Sequence, residues 1–268
     1  MEWLHVYVLA VIQGLSEFLP VSSSAHLILP SQLLGWPDQG LAFDVGVHLG
    51  TLIAVVYYFR RDVQIMLVAF FKSLTGQKSV DGCTAWFILA ATVPAIGAGL
   101  MFHSLIDIYG RSLLVIAATT MIFGALLWYA DNKFQMQKKI ENLTLRHSVY
   151  IGMAQAVSLI PGTSRSGITM TAALMLGYSR EAAAKFSFFL SIPVILAAGS
   201  YKGIELATAD FAVHWGMVLT GVIVSALVAI GCIHLFLIWL EKVGMLPFVI
   251  YRMFLGLVLF AIYFATTS

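Results

Sequence analysis

The sequence predicts an all-α polytopic membrane protein: six transmembrane helices plus two re-entrant helical hairpins in an inverted-topology repeat. Three observations carry that expectation. Of 268 residues, 60% are hydrophobic and only 10% are charged, against roughly 25% charged in an ordinary soluble domain. The apolar runs are long and lack the strand-length alternation of a membrane β-barrel. Two further apolar stretches are broken midway by Pro, Gly, Ser and charge. A soluble chain of this size cannot cover its surface with 15 Lys and Arg plus 13 Asp and Glu. A net charge of +2 gives no basic face for a phosphate backbone, so nucleic acid is excluded as a partner. The partner left is the bilayer.

A helix needs about 20 apolar residues to cross about 30 Å of hydrocarbon. Six segments qualify: 41–59, 83–103, 113–130, 185–203, 215–240 and 248–266. Residues 62–73 read as an interfacial helix. Residues 3–34 and 147–177 are each too long for one span, and each half is too short for an easy one. Broken segments at membrane depth are tolerated only where they are buried in protein or line a wet cavity, so both read as re-entrant hairpins. The N-terminus has no basic leader and runs from Trp3 directly into motif-like sequence; it reads as mature structure. Cys83 and Cys232 lie in or beside apolar runs without a C-x-x-C motif and read as small buried hydrophobes.

The two broken stretches resemble each other. Gln13 lies seven residues before Pro20, with serines and Leu34-Gly35 after it. Gln155 lies six residues before Pro161, with Ser164, Ser166 and Leu176-Gly177 after it. The chain therefore divides as one integral membrane domain, 1–268, with repeat one at about 1–140 and repeat two at about 141–268. One hairpin plus three spans is an odd number of crossings, so the second half enters from the opposite side. Folds of that kind place their site where the broken helices meet. Loops 60–82 and 131–146 are rich in Lys and Arg, and Arg180, Lys185, Lys242 and Arg252 group with them; Arg111 and Lys202 are left for the other side. By the positive-inside rule the rich side is cytoplasmic and both termini face out.

An ionisable residue inside a membrane segment costs about 2.5–3.5 kcal/mol on insertion scales, which makes it a functional candidate by default. Glu17 and His26 stand at the first break and Arg165 at the second. Gln13 and Glu17 are four apart and share a helix face. Pro20 ends that helix, and Ser22, Ser23 and Ser24 suit the start of the next, where an ordinary N-cap serine is the plainer alternative. In the second stretch, Gly162 and Gly167 let backbone approach a ligand, and the following helix start offers free N–H groups to an anion. Ser164, Ser166, Thr169 and the Arg165 guanidinium add donors suited to phosphate. Glu17 can hold a divalent metal or act as base, and His26 can be nucleophile, acid or base. Ser23 is a nucleophile if Glu17 or His26 reaches it. A structural Arg165–Glu17 ion pair is the competing reading of these charges. Asp44 and His48 fall on one face and can add a metal ligand or a pore-lining contact. His5, His103, His147, His214 and His234 lie away from the breaks and read as interfacial or packed.

At these stretches the sequence closely resembles the undecaprenyl-pyrophosphate phosphatase family, the bacitracin-resistance type. The matching motifs are Gln13-x-x-x-Glu17, Pro20-Val-Ser22-Ser23-Ser24-Ala-His26 and Pro161-Gly-Thr-Ser164-Arg165-Ser166-x-x-Thr169, with Ser-Arg-x-Ala-Ala-x-x-Phe-Ser-Phe at 179–188. The resemblance implies a hydrolase that needs a divalent metal, Mg2+ or Ca2+, held at Glu17. It implies removal of the terminal phosphate of a C55 polyprenyl pyrophosphate, so that the monophosphate carrier of envelope glycans is recycled and bacitracin is resisted. Glu17, Ser23, His26 and Arg165 would be catalytic, with Gln13, Ser22, Gly162, Ser164, Ser166 and Thr169 holding phosphate. Gln13 stands where the family allows Glu, and it cannot act as a base. The implied location is the plasma (inner) membrane with the site facing outward, and a homodimer is left open. The competing class is a polyprenyl-phosphate transporter or flippase using the same phosphate site; a structural scaffold is the bland third.

Overall fold

The computed structural model describes residues 2–102, 112–207 and 213–267. Those residues form eleven α-helices and one short 3₁₀ turn. Six helices are long and apolar enough to cross a membrane. They are α3 (Leu41–Tyr58), α5 (Val80–Met101), α6 (Leu113–Lys133), α9 (Arg180–Ala207), α10 (Trp215–Val243) and α11 (Leu246–Thr267). Each matches an apolar run expected from the sequence, within a few residues at either end. The segment expected at the interface is α4 (Arg60–Leu74). Among the described residues the one β-type pairing is an isolated bridge between Lys138 and Tyr178. His103 and Arg111, read above as packed and as an outer-side charge, lie outside the described residues.

The two broken stretches each fold as a pair of short helices. The first pair is α1 (Trp3–Ser16) and α2 (Ser23–Leu34); the second is α7 (Leu145–Val157) and α8 (Arg165–Met175). They hold 11 to 14 residues each. At 1.5 Å per residue such helices are about 16–21 Å long, well short of the hydrocarbon thickness. Their packing is reciprocal. α1 lies against α10, α7 lies against α5, and α3 and α9 pack on each other. So the first helix of each pair is seated on a span from the other half of the chain.

The breaks themselves share a backbone feature. Ser22 (φ 74°) and Ser164 (φ 69°) are the non-glycine residues with positive φ among those described. Each immediately precedes the second helix of its pair. Such corners cost of order 1–3 kcal/mol and persist where surrounding contacts over-determine them. Gly162 turns with φ 85° just before the second corner. A Cβ there would collide with Thr119 Oγ1 and the Ile116 carbonyl on α6, so glycine is required both for the turn and for the close approach.

The core beneath the breaks is aromatic. Phe18 and Phe188 meet edge to face with centroids 5.3 Å apart, and Phe59 and Phe189 do so at 5.2 Å. Away from the breaks, Arg180 grips Asp131 with two bonds of 2.7 and 2.9 Å. Met245 N also donates to Asp131, at 3.2 Å. One carboxylate thus ties the ends of α6 and α9 to the turn between α10 and α11.

Two expectations need correcting. Arg252 does not join the cytoplasmic charges at a surface: it is fully buried in α11. Cys83 is exposed rather than packed, while Cys232 is buried as expected; its thiol donates to the Leu15 carbonyl.

A candidate active site where the two breaks meet

The first break is held to the second by side chains from both. Arg165 Nη2 donates to Glu17 Oε1 at 3.0 Å. Ser166 Oγ donates to the Leu19 carbonyl at 2.8 Å. Gly162 N donates to Ser24 Oγ at 3.4 Å. The sequence order puts these pairs about 140 residues apart, and the helix packing brings them together. The ion pair weighed as a structural alternative is therefore present, at the centre of the site.

Glu17 is the hub. Its side chain is 7% exposed. Besides the Arg165 bond on Oε1, its Oε2 accepts from Gln13 Nε2 at 3.0 Å and from Ser23 Oγ at 3.0 Å. His48 Nε2 stands 3.8 Å from the same oxygen. The i,i+4 spacing of Gln13 and Glu17 on α1 produces the first bond; the turn through Pro20 folds Ser23 back to make the second. A carboxylate that accepts from three donors, one of them a guanidinium, is held in place.

Ser23 and His26 are separated by this geometry. Ser23 Oγ meets the carboxylate. His26 Nδ1 lies 2.6 Å from the Ser22 carbonyl and Nε2 lies 2.5 Å from Tyr251 Oη, with the His26 and Tyr251 rings stacked. A carbonyl can only accept, so the proton sits on Nδ1 and Nε2 accepts from the tyrosine. Both ring nitrogens are engaged, and by neither Glu17 nor Ser23.

A polar cavity of about 510 Å³ opens over these groups. Of the residues picked out from the sequence, Glu17, Ser22, Ser23, Ser24, Ser164 and Arg165 line it. His26, expected to be catalytic, is not part of the lining, and Gln13, Ser166 and Thr169 sit behind this wall. Gln13 is fully buried and reaches the cavity through Glu17. Ser166 and Thr169 are buried; Thr169 Oγ1 bonds to Ser187 Oγ at 2.7 Å, and Arg165 Nη1 donates to the Ser187 carbonyl at 3.4 Å. Ser164 Oγ caps α8 by accepting from Gly167 N at 3.1 Å. Asp44 and His48 also line the cavity, as their shared helix face suggested.

Sequence reasoning missed two site residues. Tyr251 carries no local signal, because its partner is 225 positions away. Arg252 looks like a loop charge near the start of an apolar run. Its guanidinium instead donates to the carbonyls of Pro20, Gly162 and Thr163, at 3.3, 3.1 and 3.0 Å. It also reaches the Thr120 carbonyl on α6 at 2.9 Å. One buried cation thus fastens both breaks to α6, next to the two strained serine corners. Only an intramembrane charge with so many backbone acceptors would be expected to survive there.

Among the described residues no group of three or more His, Cys, Asp and Glu side chains could enclose a metal ion. Two carboxylates, Glu17 and Asp44, line one cavity. That donor set suits Mg2+, which is usually held by one or two carboxylates together with substrate phosphates rather than by a full protein cage.

These features define a class: a polytopic helical membrane protein with an acid, hydroxyls and a guanidinium converging on an anion-competent cavity between broken helices. The chain belongs to the family described as Bacitracin resistance protein BacA, which it matches over residues 6–258. It is 54% identical over 261 residues to the undecaprenyl-diphosphatase of Teredinibacter turnerae, covering 97% of this chain and 99% of that protein. It is 55% identical over 260 residues to the undecaprenyl-diphosphatase of Chromohalobacter salexigens, covering 97% and 98%. Undecaprenyl-diphosphatase 1 of Pseudoalteromonas translucida is 56% identical over 257 residues, covering 96% and 97%.

Proposed function

We propose that this protein is an integral membrane phosphatase that hydrolyses undecaprenyl pyrophosphate to undecaprenyl phosphate and inorganic phosphate. The monophosphate is the form that carries peptidoglycan precursors, and drawing down the pyrophosphate opposes bacitracin. The observation that carries this reading is the 3.0 Å bond from Ser23 Oγ to Glu17 Oε2, with Arg165 clamped on the other oxygen of the same carboxylate. A hydroxyl on a fixed carboxylate base beside a guanidinium is the arrangement that phosphoryl transfer needs.

The chemistry follows from those atoms. Glu17 takes the Ser23 proton as Oγ attacks the terminal phosphorus. The P–O bond to the bridging oxygen breaks, and the lipid monophosphate leaves with that oxygen. Arg165 and the N–H groups opening α8 offset the charge on the phosphoryl oxygens. Glu17 passes that proton to the departing monophosphate and, ionised again, takes one from the water that cleaves the Ser23–phosphate bond; inorganic phosphate leaves and Glu17 returns the proton to Ser23 Oγ. His26 holds the Ser22 corner through its carbonyl, and Gln13 holds Glu17. Glu17 and Asp44, which line the same cavity, would hold a divalent cation, Mg2+ or Ca2+, and it would supply neutralisation of phosphate charge.

The two pairs of short helices read as re-entrant hairpins of an inverted repeat, with one half at about 1–140 and the other at about 141–268. The reciprocal packing of α1 on α10 and α7 on α5 supports this, as do the matching positive-φ serines. Asp44 at the start of α3 and Lys202 near the end of α9 line the cavity. In the positive-inside orientation these are outer ends, so the site faces outward from the plasma (inner) membrane. A carrier would use Arg165 and the helix ends but gain nothing from a hydroxyl bonded to a base, and the phosphatase reading is favoured.

The test is phosphate release by purified protein from a long polyprenyl diphosphate, with and without chelator. Release that Ser23→Ala and Arg165→Ala variants lose is expected. Lipid binding without release, in well-folded wild-type protein, would move the assignment to a carrier.

A further inference from the structure

The cavity over Glu17, Ser23 and Arg165 shares one wall with a second space. Ser158, Val194, Ala198 and Lys202 form that wall, and the same four residues border the second space, a cavity of about 210 Å³. Apart from Gln155 and Tyr201, that second space is otherwise lined by apolar residues of α5 and α9 and the tip following α7, among them Ala95, Ile96, Gly99, Leu159 and Ala197. Small residues keep it open. A Cβ built on Gly99 would find its nearest neighbour, Leu159 Cδ1, 3.9 Å away. Beside it α5 presents Val93 and Leu100, 65% and 66% exposed, so the space opens sideways onto an apolar flank rather than into water.

We infer that this groove seats the first isoprene units of the lipid tail and so decides which phosphate is cleaved. The inference rests on the phosphatase reading above and adds the substrate's orientation to it. A diphosphate head in the polar cavity must send its chain out through an apolar wall, and the shared wall is the one that continues as an apolar channel. The ester-side phosphate then lies against Ser158 and Lys202. The terminal phosphate is the one against Glu17, Ser23 and Arg165. The bond in line with Ser23 is the anhydride, and the leaving group is the lipid monophosphate. Lys202, whose Nζ pairs with Glu205 at 3.0 Å on the rim, supplies the cation for the ester-side phosphate.

The groove contributes orientation more than affinity. Bilayer hydrocarbon is as apolar as the groove, so moving the chain between them gains little. What the groove adds is a fixed entry angle for the head, and orientation acts on turnover. Filling it should therefore penalise substrates whose chains reach it and spare those whose chains do not.

The experiment compares kcat/KM for inorganic pyrophosphate, which has no chain, and for C15 and C55 prenyl diphosphates in mixed micelles for wild type, Gly99→Leu and Ala197→Leu. The expected result is that the ratio of C15 to pyrophosphate falls by about tenfold or more in both variants, while pyrophosphate turnover stays near wild type and reports an intact centre. Unchanged ratios in both would overturn the inference. Should the variants fail to fold, Gly99→Cys in a Cys83→Ser background gives a second reading. Its alkylation by a maleimide should be slowed by C15 diphosphate and not by inorganic pyrophosphate; equal rates would again overturn it. If wild type releases phosphate from none of the three, the phosphatase reading fails, and the labelling still reports on the groove.

Discussion

Arg165 Nη2 and Glu17 Oε1 are 3.0 Å apart although 148 positions separate the two residues in the chain. The bond joins the acid of the first break to the base of the second, and both side chains are nearly withdrawn from solvent. Each neutralises a charge that would otherwise be costly at membrane depth, and each is aimed into the same cavity. Glu17→Gln keeps the shape and loses the base, and should lower kcat by about 10²–10⁴. Arg165→Lys keeps a charge and loses the fork, and should lower it by about 10²–10³. Because the two share one bond, the double variant should be far from additive. Additive losses in phosphate-release assays would mean that the residues act separately.

Ser23 and His26 are three residues apart and have different partners. Ser23→Ala should abolish phosphoryl transfer, a loss of at least about 10³ in kcat. Tyr251→Phe, which removes one support of His26, should cost about tenfold, in line with a single lost hydrogen bond. Acid-quenched enzyme incubated with diphosphate labelled at its terminal (β) phosphate should carry acid-stable phosphoserine. Acid-labile label that survives in Ser23→Ala would assign the nucleophile to His26.

Arg252 sets two effects against each other. Replacing it with Met strands the Pro20 and Thr163 carbonyls, about 1–3 kcal/mol each, while Gly162 keeps the Thr120 hydroxyl, and it recovers the cost of a buried charge, about 2.5–3.5 kcal/mol. The stability of Arg252→Met should thus change by less than about 4 kcal/mol. Its kcat should still fall about 10²-fold, because the serine corners lose the group that fixes them. Arg252→Lys should recover part of the rate. Thermal unfolding in detergent beside steady-state kinetics checks both statements, and wild-type kcat in Arg252→Met would refute the positioning role.

The Arg180–Asp131 pair is far from the cavity and predicts the opposite pattern. Arg180→Ala should lower stability by about 2 kcal/mol, since it removes two charge-assisted bonds. The kcat of folded protein should be unchanged. A large fall in kcat without loss of stability would show that this end of the bundle communicates with the site.

Sidedness has a direct check. Gln32 on α2 borders a cavity shared with Ser23 and His48, and Gln77 follows α4. In a Cys83→Ser background, Gln32→Cys should react with an impermeant maleimide added outside whole cells. Gln77→Cys should react only after the membrane is opened. The reverse pattern would place the site on the cytoplasmic face.

The sequence by itself determined the spans, because apolar length is a local property and the bilayer sets its threshold. It also pointed to the candidate site: Glu17, His26 and Arg165 are charges in segments that should hold none, and Pro20 and Pro161 mark the breaks beside them. Local spacing was enough for the Gln13–Glu17 contact and for the shared face of Asp44 and His48. Tertiary structure decided the rest. It gave Ser23 to Glu17 and His26 to Tyr251, a division no spacing reveals, since three residues on a helix start can turn either way. It drew Arg252 out of the apparent cytoplasmic charges and into the junction of both breaks. It set Ser166 and Thr169 behind the cavity wall rather than in it. The physical reason is one of range: hydrophobic length and helix period act within a few turns, whereas a buried polar group must find its partners wherever packing brings them, here between residues 90 to 232 positions apart.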